Sequence, residues 1–404
     1  MALVGIDAVH VWASTLGVSF REVAAARGID AKSFASTRFE QRSLLPLWED
    51  PVTLAVNAAR PVVAEVGADR VGLLIVATES GLDFGKPLST WVHRHLGLGT
   101  SCRNFEIKHA CFGGTAALMT AASYVRERPE RVAIVVMTDV ARDHVGDPAE
   151  LTAGSGAVAL AVSTNPRILA LDPETGSATR EVYDVARPRA TGEHNDAVLS
   201  LYSYLDLVEL AWADYVARTG GRRGEGDFSH LLFHTPLWSL AERAHAALLE
   251  AADEDVEPEA IADSFARRVA PSLAWNLRTA NVYSGSVYVS LAGLLATSDV
   301  APGSRLALFS YGSGACSELF SGVVQSGARA AVLGMDVEPQ LDERRMVDVA
   351  TYEALVKAHQ EAMVATDFVP DLGAPAGVFE ALYAGRGRLV LESVRGHERT
   401  YRDA

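Results

Sequence analysis

Short apolar runs that stop at a chemically competent residue recur along this chain, and that pattern limits its fold more than any other feature. Val71 to Val76, Val132 to Met137, Val158 to Val162, Leu231 to Phe233 and Leu306 to Phe309 are short and apolar throughout, as strands buried on both faces are. Longer segments with helical spacing lie between them, including Thr115 to Val125, Leu199 to Val216 and Ser286 to Ala296. Such alternation predicts an α/β chain whose sheets are covered by helices. Four of the runs lead into polar residues: Glu79, Asp139, His234, and the pair Ser310 and Tyr311. Ligands of open α/β sheets sit outside the carboxyl ends of strands, so these residues are candidates for one cleft. Strand, polar end and Gly-rich turn recur in both halves, which predicts an internal duplication.

With 49% of 404 residues apolar, the chain can bury a large core, and no low-complexity tract or polar linker divides it. The stretches Arg187 to Asn195 and Arg218 to Gly226 read as surface loops. Cys102, Cys111 and Cys316 are odd in number and lack paired spacing, so neither a disulfide framework nor a zinc cluster is expected, and a reducing cytoplasm is. Met1 to Trp12 carries no basic leader, and no apolar run reaches the roughly 18 residues of a membrane span. A soluble protein is the expectation. A net charge of −15 opposes nucleic-acid binding, because phosphates require cationic surface.

Cys111 stands in Glu106-Ile-Lys-His-Ala-Cys-Phe-Gly-Gly-Thr-Ala-Ala-Leu, just ahead of a helical segment. A helix N-terminus lowers a nearby thiol's pKa from about 8.5, so Cys111 reads as a nucleophile. Gly113 and Gly114 would let a thioester approach closely. The alternative is a buried structural cysteine, the common fate of a free thiol. Glu79, among Thr78, Ser80 and Gly81, reads either as a solvated carboxylate or, if partly buried, as a proton-transfer group with a raised pKa. His234 is either a hydrogen-bonded core residue or a catalyst. Together the three side chains can make and break acyl bonds, and a protease-like reading competes here. Asn281-Val-Tyr-Ser-Gly-Ser and Ser310-Tyr-Gly-Ser-Gly either offer backbone N–H groups to an oxyanion or serve turn geometry only. Neither a phosphate-binding P-loop nor a dinucleotide fingerprint is present.

Seven ordered segments resemble the 3-hydroxy-3-methylglutaryl thioester synthases, of the thiolase-like condensing superfamily. They are Glu49-Asp-Pro-Val-Thr, Ala77-Thr-Glu-Ser-Gly-Leu-Asp, Lys108-His-Ala-Cys-Phe-Gly-Gly-Thr-Ala-Ala-Leu, Thr138-Asp-Val-Ala-Arg, Phe233-His-Thr-Pro, Asn281-Val-Tyr-Ser-Gly-Ser and Phe309-Ser-Tyr-Gly-Ser-Gly. Phe84-Gly-Lys-Pro-Leu-Ser-Thr-Trp-Val-His resembles the branch that works in polyketide β-branching. The resemblance implies a duplicated five-layered αβαβα fold, with residues 1–165 carrying the nucleophile and 166–404 the acceptor-binding histidine. It also implies roles. Cys111 would take an acetyl group, Glu79 would remove a methyl proton, and His234 would polarise the acceptor's keto oxygen. Asn281, Ser310 and Gly113 would belong to the acyl-binding shell, supported by Asp139, Asp196 and Tyr311. No cofactor or metal of its own is implied, since phosphopantetheine would travel on donor and acceptor acyl carrier proteins. A cytoplasmic homodimer is the implied setting.

Two departures stand out. Asp143 replaces an aromatic residue after Ala141-Arg142, which could alter the acyl pocket. After His234-Thr-Pro the CoA-using members carry a lysine for a CoA phosphate, whereas Leu237-Trp-Ser-Leu-Ala-Glu-Arg has none, which predicts weak CoA binding. An acidic carrier would need a local basic patch on this acidic chain, with Arg222, Arg223, Arg267, Arg268 and Arg278 as candidates. Arginines scattered by composition are the alternative. Three functional readings stay open: condensation on carrier proteins, the same aldol step on acetyl-CoA and acetoacetyl-CoA, and a diverted or noncatalytic homologue.

Overall fold

The computed structural model describes residues 2–30, 34, 37–142, 145–188, 193–253 and 255–404, without the side chains of residues 148 and 149. Each of the five apolar runs is a strand of one large sheet. In chain order its strands are β1 (Val4–Trp12), β2 (Val71–Ala77), β3 (Arg103–Ile107), β4 (Val132–Asp139) and β5 (Gly156–Thr164). β6 (Leu169–Thr179), β7 (His230–Phe233), β8 (Arg305–Gly312) and β9 (Cys316–Val324) follow. Their spatial order is β7-β8-β9-β6-β1-β5-β4-β2-β3.

Read outward from the centre, the two halves of the sheet repeat. β1 pairs antiparallel with β5, β5 antiparallel with β4, and β4 parallel with β2. On the other side β6 pairs antiparallel with β9, β9 antiparallel with β8, and β8 parallel with β7. The expected duplication is therefore present in the topology. Five helices complete the layers: α1 (Pro51–Val66), α2 (Gly113–Glu127), α3 (Ala197–Arg218), α4 (Trp238–Ala252) and α5 (Ser286–Thr297).

Alternation along each strand shows why these runs are apolar on every residue. Leu73 and Ile75 of β2 face an inner core with Ala117 and Leu118 of α2 and Leu291 and Leu294 of α5. Leu74 and Val76 face the opposite way, onto Val52, Val56 and Val63 of α1. In the other half, Leu232, Leu306 and Leu308 meet the inner core, while Leu231, Phe233 and Phe309 pack on Tyr204, Leu207 and Val208 of α3. The layers run α1, sheet, α2 with α5, sheet, α3, which is the αβαβα arrangement of the thiolase-like fold. Each such side chain contributes roughly 1.5–3 kcal/mol by burial.

Sequence patterning missed four strands and two helices, α1 and α4, of this frame. β3 is an edge strand, and β6 carries Asp172, Pro173 and Glu174 on its half-exposed length, so neither reads as a buried run. Among the described residues, no helix is long and apolar enough to cross a membrane.

β1 and β6 join the two halves through only Gly5 opposite Ala170 and Ile6 opposite Leu169. A Cβ at Gly5 would lie 1.9 Å from the Leu169 carbonyl oxygen, so the seam closes only without a side chain there. Gly5→Ala is expected to cost about 1–3 kcal/mol. Urea unfolding would measure it, and an unchanged midpoint would show that the seam accommodates a methyl group.

Candidate active site

The carboxyl ends of β2, β4, β7 and β8 and the starts of α2 and α5 converge on one place. Cys111 precedes α2 by two residues, and Ser284 precedes α5 by the same interval. The residue before each has left-handed backbone, Ala110 at φ 40° and Tyr283 at φ 52°. Neither is glycine, so both positions hold strain of the kind that collects at functional sites.

Asp139, fully buried at the end of β4, ties the surrounding loops together. Its Oδ1 accepts from Thr78 Oγ1 at 3.1 Å, the Glu79 backbone N–H at 2.9 Å and Ser80 Oγ at 3.0 Å. Its Oδ2 accepts from Ser284 N–H at 3.3 Å and Ser284 Oγ at 2.6 Å. One carboxylate thereby joins the loop of Glu79 to the loop ahead of α5.

A cavity of about 630 Å³ is lined by Cys111, Glu79, His234, Asn281 and Tyr311, with Glu193, His194, Tyr204, Arg243, Tyr283 and Ser313 among its other wall residues. Asn281 Oδ1 accepts from Tyr283 N–H at 3.0 Å and Ser286 Oγ at 2.6 Å, which occupies its lone pairs and leaves the NH₂ end to donate. The Tyr311 hydroxyl donates to Asp184 Oδ2 at 2.9 Å. His234 is held through its backbone, its N–H donating to Phe309 O at 2.8 Å and its carbonyl accepting from Tyr204 Oη at 2.6 Å.

Burial dominates the electrostatics. It raises the Glu79 carboxyl to about 7, with Asp139 and Glu193 adding to the rise and Arg187 and Arg142 opposing it. A group with that affinity can both take and return a proton near neutrality. Burial lowers His234 to about 3, so its imidazole is neutral across the physiological range. The expectation of a thiol made acidic by the helix start is overturned. Burial, then the Glu79 and Asp139 carboxylates, raise Cys111 well above an ordinary thiol, and Arg187 alone among the leading influences opposes them. In a low-dielectric pocket beside two carboxylates, a thiolate costs more than the dipole returns.

Other expected members of the site fall elsewhere. Asp139 is an anchor beneath the wall rather than a surface for ligand, and Ser310 is buried within β8 outside the cavity. Gly113 lies outside it too, and a Cβ there would make only ordinary contact with Ala77 Cβ at 3.5 Å. Gly114 is the glycine that geometry demands, since a Cβ would lie 2.6 Å from Ser284 O and 2.7 Å from Met137 Sδ; the neighbour it admits is protein, not thioester. Asp196 is exposed and caps α3, accepting from Leu199 N–H at 2.9 Å. Asp143 lies outside the described residues.

Arg187 and Glu193, assigned to a surface loop, are both largely buried beside Glu79. Pattern reading missed them because an Arg-Pro-Arg segment carries no apolar periodicity. Each arginine named as a candidate for a basic patch has a carboxylate within ion-pair distance. Arg222 pairs with Glu174, Arg223 with Asp172, Arg267 with Asp263, Arg268 with Glu225, and Arg278 with Glu338 and Asp342. In the lysine-free segment after His234-Thr-Pro, Arg243 supplies a cation to the cavity wall, while Glu242 accepts from Trp238 Nε1 at 2.7 Å.

Fold and cavity together put the chain among the thiolase-like condensing enzymes, as its structural neighbours are. Profiles described as Hydroxymethylglutaryl-coenzyme A synthase N terminal and C terminal match residues 2–166 and 250–383, and the chain belongs to that family of carbon–carbon bond-forming acyltransferases. It is 33% identical, over 100% of its length and 99% of the relative's, to the Polyketide biosynthesis 3-hydroxy-3-methylglutaryl-ACP synthase PksG of Bacillus subtilis (strain 168). The Hydroxymethylglutaryl-CoA synthase of Enterococcus faecalis is 32% identical over 87% of this chain and 91% of its own. Among solved structures, the Curacin Biosynthetic Pathway HMG Synthase in complex with holo donor-ACP matches with a TM-score of 0.95 at 35% identity, covering 100% of both chains.

A raised thiol gives a direct expectation. Iodoacetamide should alkylate Cys111 more slowly at pH 7.5 than it alkylates free cysteine, and Glu79→Gln should speed the reaction by removing a neighbouring negative charge. Peptide mapping would follow the modification; alkylation faster than free cysteine in the unaltered enzyme would contradict this account of the pocket.

Proposed function

We propose that this enzyme adds a Cys111-bound acetyl group to the keto carbon of a β-ketoacyl group on an acyl carrier protein, in polyketide β-branching. Hydrolysis then yields a 3-hydroxy-3-carboxymethyl acyl carrier. What carries the reading is the single cavity shared by Cys111, Glu79 and His234, in a chain whose structural neighbours include an HMG synthase in complex with acetyl donor-ACP. The full-length similarity to an HMG-ACP synthase supports the carrier-bound substrates. The cavity is large enough for an acyl group at the end of a phosphopantetheine arm, which the partner would bring. We take the enzyme to work in the cytoplasm as a homodimer.

The chemistry follows from the protonation states. Cys111 meets the donor as a thiol, so its proton leaves as the Sγ–acetyl bond forms and the departing pantetheine sulfur takes one up. Ionised Glu79 then removes a proton from the acetyl methyl, and the enolate oxygen needs donors held in place. The enolate carbon attacks the acceptor's keto carbon while the neutral His234 imidazole donates to its oxygen. Protonated Glu79 can return its proton to the tertiary alkoxide. Water finally cleaves the thioester at Cys111, and the acceptor's own thioester survives.

Intact-protein mass after incubation with acetyl-loaded carrier protein is expected to rise by one acetyl group at Cys111. Cys111→Ala should lose that label entirely, and Glu79→Ala should acetylate but lose condensation by at least about 100-fold. Faster labelling by acetyl-CoA than by the carrier would shift the reading to the CoA-dependent synthase, and no labelling by either donor would shift it to a diverted homologue.

A further inference from the structure

Arg187 reaches Glu79 from a small hairpin formed by Val185–Ala186 and His194–Asn195, with Arg187 and Glu193 directly beyond its paired residues. Its side chain is only 10% exposed. Its contacts differ sharply in quality. Nε donates to Glu193 Oε2 at 2.7 Å, a short charge-assisted bond. Nη1 reaches the Glu79 carbonyl at 3.4 Å and Ser80 Oγ at 3.3 Å, and the guanidinium lies 4.8 Å from the centre of the Tyr283 ring. Nη2 lies 3.3 Å from Glu79 Oε1 and makes no aligned hydrogen bond among the described residues. The arginine is therefore bonded to one carboxylate and merely near the other.

That division matters for a base. An arginine closed onto Glu79 in a two-pronged pair would occupy the lone pairs that must accept a methyl proton and would make the carboxylate weakly basic. Without an arginine, burial and the neighbouring Asp139 would keep Glu79 protonated. We propose that Glu193 is a positioning residue that holds Arg187 through Nε and so keeps its charge beside Glu79 without closing on it. Among the described residues, no other carboxylate is bonded to Arg187 in this way. Asp139 is saturated by its own bonds, and Arg142 is anchored to the carbonyls of Ser80 and Gly81 at 2.7 and 3.1 Å. Glu106 accepts from Leu88 N–H at 2.6 Å, and the Cys111 thiol and Tyr283 phenol are further titratable neighbours among the described residues. The proposal rests on the reading of Glu79 as the base.

The two members of the pair then have opposite effects. Glu193→Gln removes the competing charge, so Arg187 acts fully on Glu79, which holds its proton less tightly. Arg187→Met leaves Glu79 with burial and like charge, so it holds its proton more tightly. The measurement is deuterium wash-in from D₂O into the methyl of the acetyl group on Cys111, in full-length enzyme loaded by acetyl carrier protein and read by peptide mass across pH. In the unaltered enzyme the rate should rise through about pH 7 as Glu79 ionises. Glu193→Gln should move that limb down by roughly one unit and lower the plateau, and Arg187→Met should move it up by roughly one unit. Arg187→Lys, which restores a cation, should bring the limb back toward its original place. Limbs that stay fixed, or move in the same direction in both variants, would overturn the proposal, and a fixed limb in Glu193→Gln alone would suffice. Undiminished wash-in by Glu79→Gln would instead overturn the assignment of Glu79 as base.

Discussion

The five hydrogen bonds accepted by Asp139 are the constraint on which the site depends. A carboxylate buried at the end of a central strand is tolerable only when its oxygens are satisfied, and here the donors come from both halves of the chain. Three belong to the turn that carries Glu79, and two belong to Ser284 ahead of α5. The backbone of the base is thus fixed relative to the second half by a group that never faces the cavity.

Burial that costs each ionised form also prepares the chemistry. One low-dielectric pocket raises a carboxyl to about 7, lowers an imidazole to about 3, and keeps a thiol protonated. Each shift has the sign set by penalising charge. The outcome is three groups neutral or near balance at pH 7, which is suited to moving protons stepwise rather than holding a permanent thiolate. Arg187 opposes the rise of both the Glu79 carboxyl and the Cys111 thiol. Its position, divided between Glu193 and Glu79, sets how far.

Much of the frame was legible because its strands are buried on both faces and so read as unbroken apolar runs. Val71–Ala77 and Val132–Asp139 gave themselves away, and so did the polar residues at their ends. Leu169–Thr179 did not, since polar residues break its length. Cys111, Glu79 and His234 were found because each sits at an element boundary, where backbone geometry imposes a recognisable local pattern. Arg187 and Glu193 were not, because their burial arises from tertiary packing of a hairpin with no periodic signal. The thiol was misjudged for a related reason. A helix start is visible in sequence, whereas the carboxylates across the pocket come from distant segments.

The duplicated topology accounts for the asymmetry of the site. Cys111 and Ser284 occupy equivalent places, each two residues ahead of a central helix and each behind a left-handed residue. A hydroxyl contact at 2.7 Å joins Thr115 and Tyr288, each the third residue of its helix. Yet Cys111 faces the cavity, while the Ser284 hydroxyl turns to Asp139. The difference lies in what stands at the end of the parallel strand pairs. β4 ends in a carboxylate that needs donors, and β8 ends in Ser310, Tyr311 and Gly312, which need none from Cys111. Once Asp139 takes the hydroxyl of the second copy, that position is spent on holding the loops, and the first copy is left to present a nucleophile.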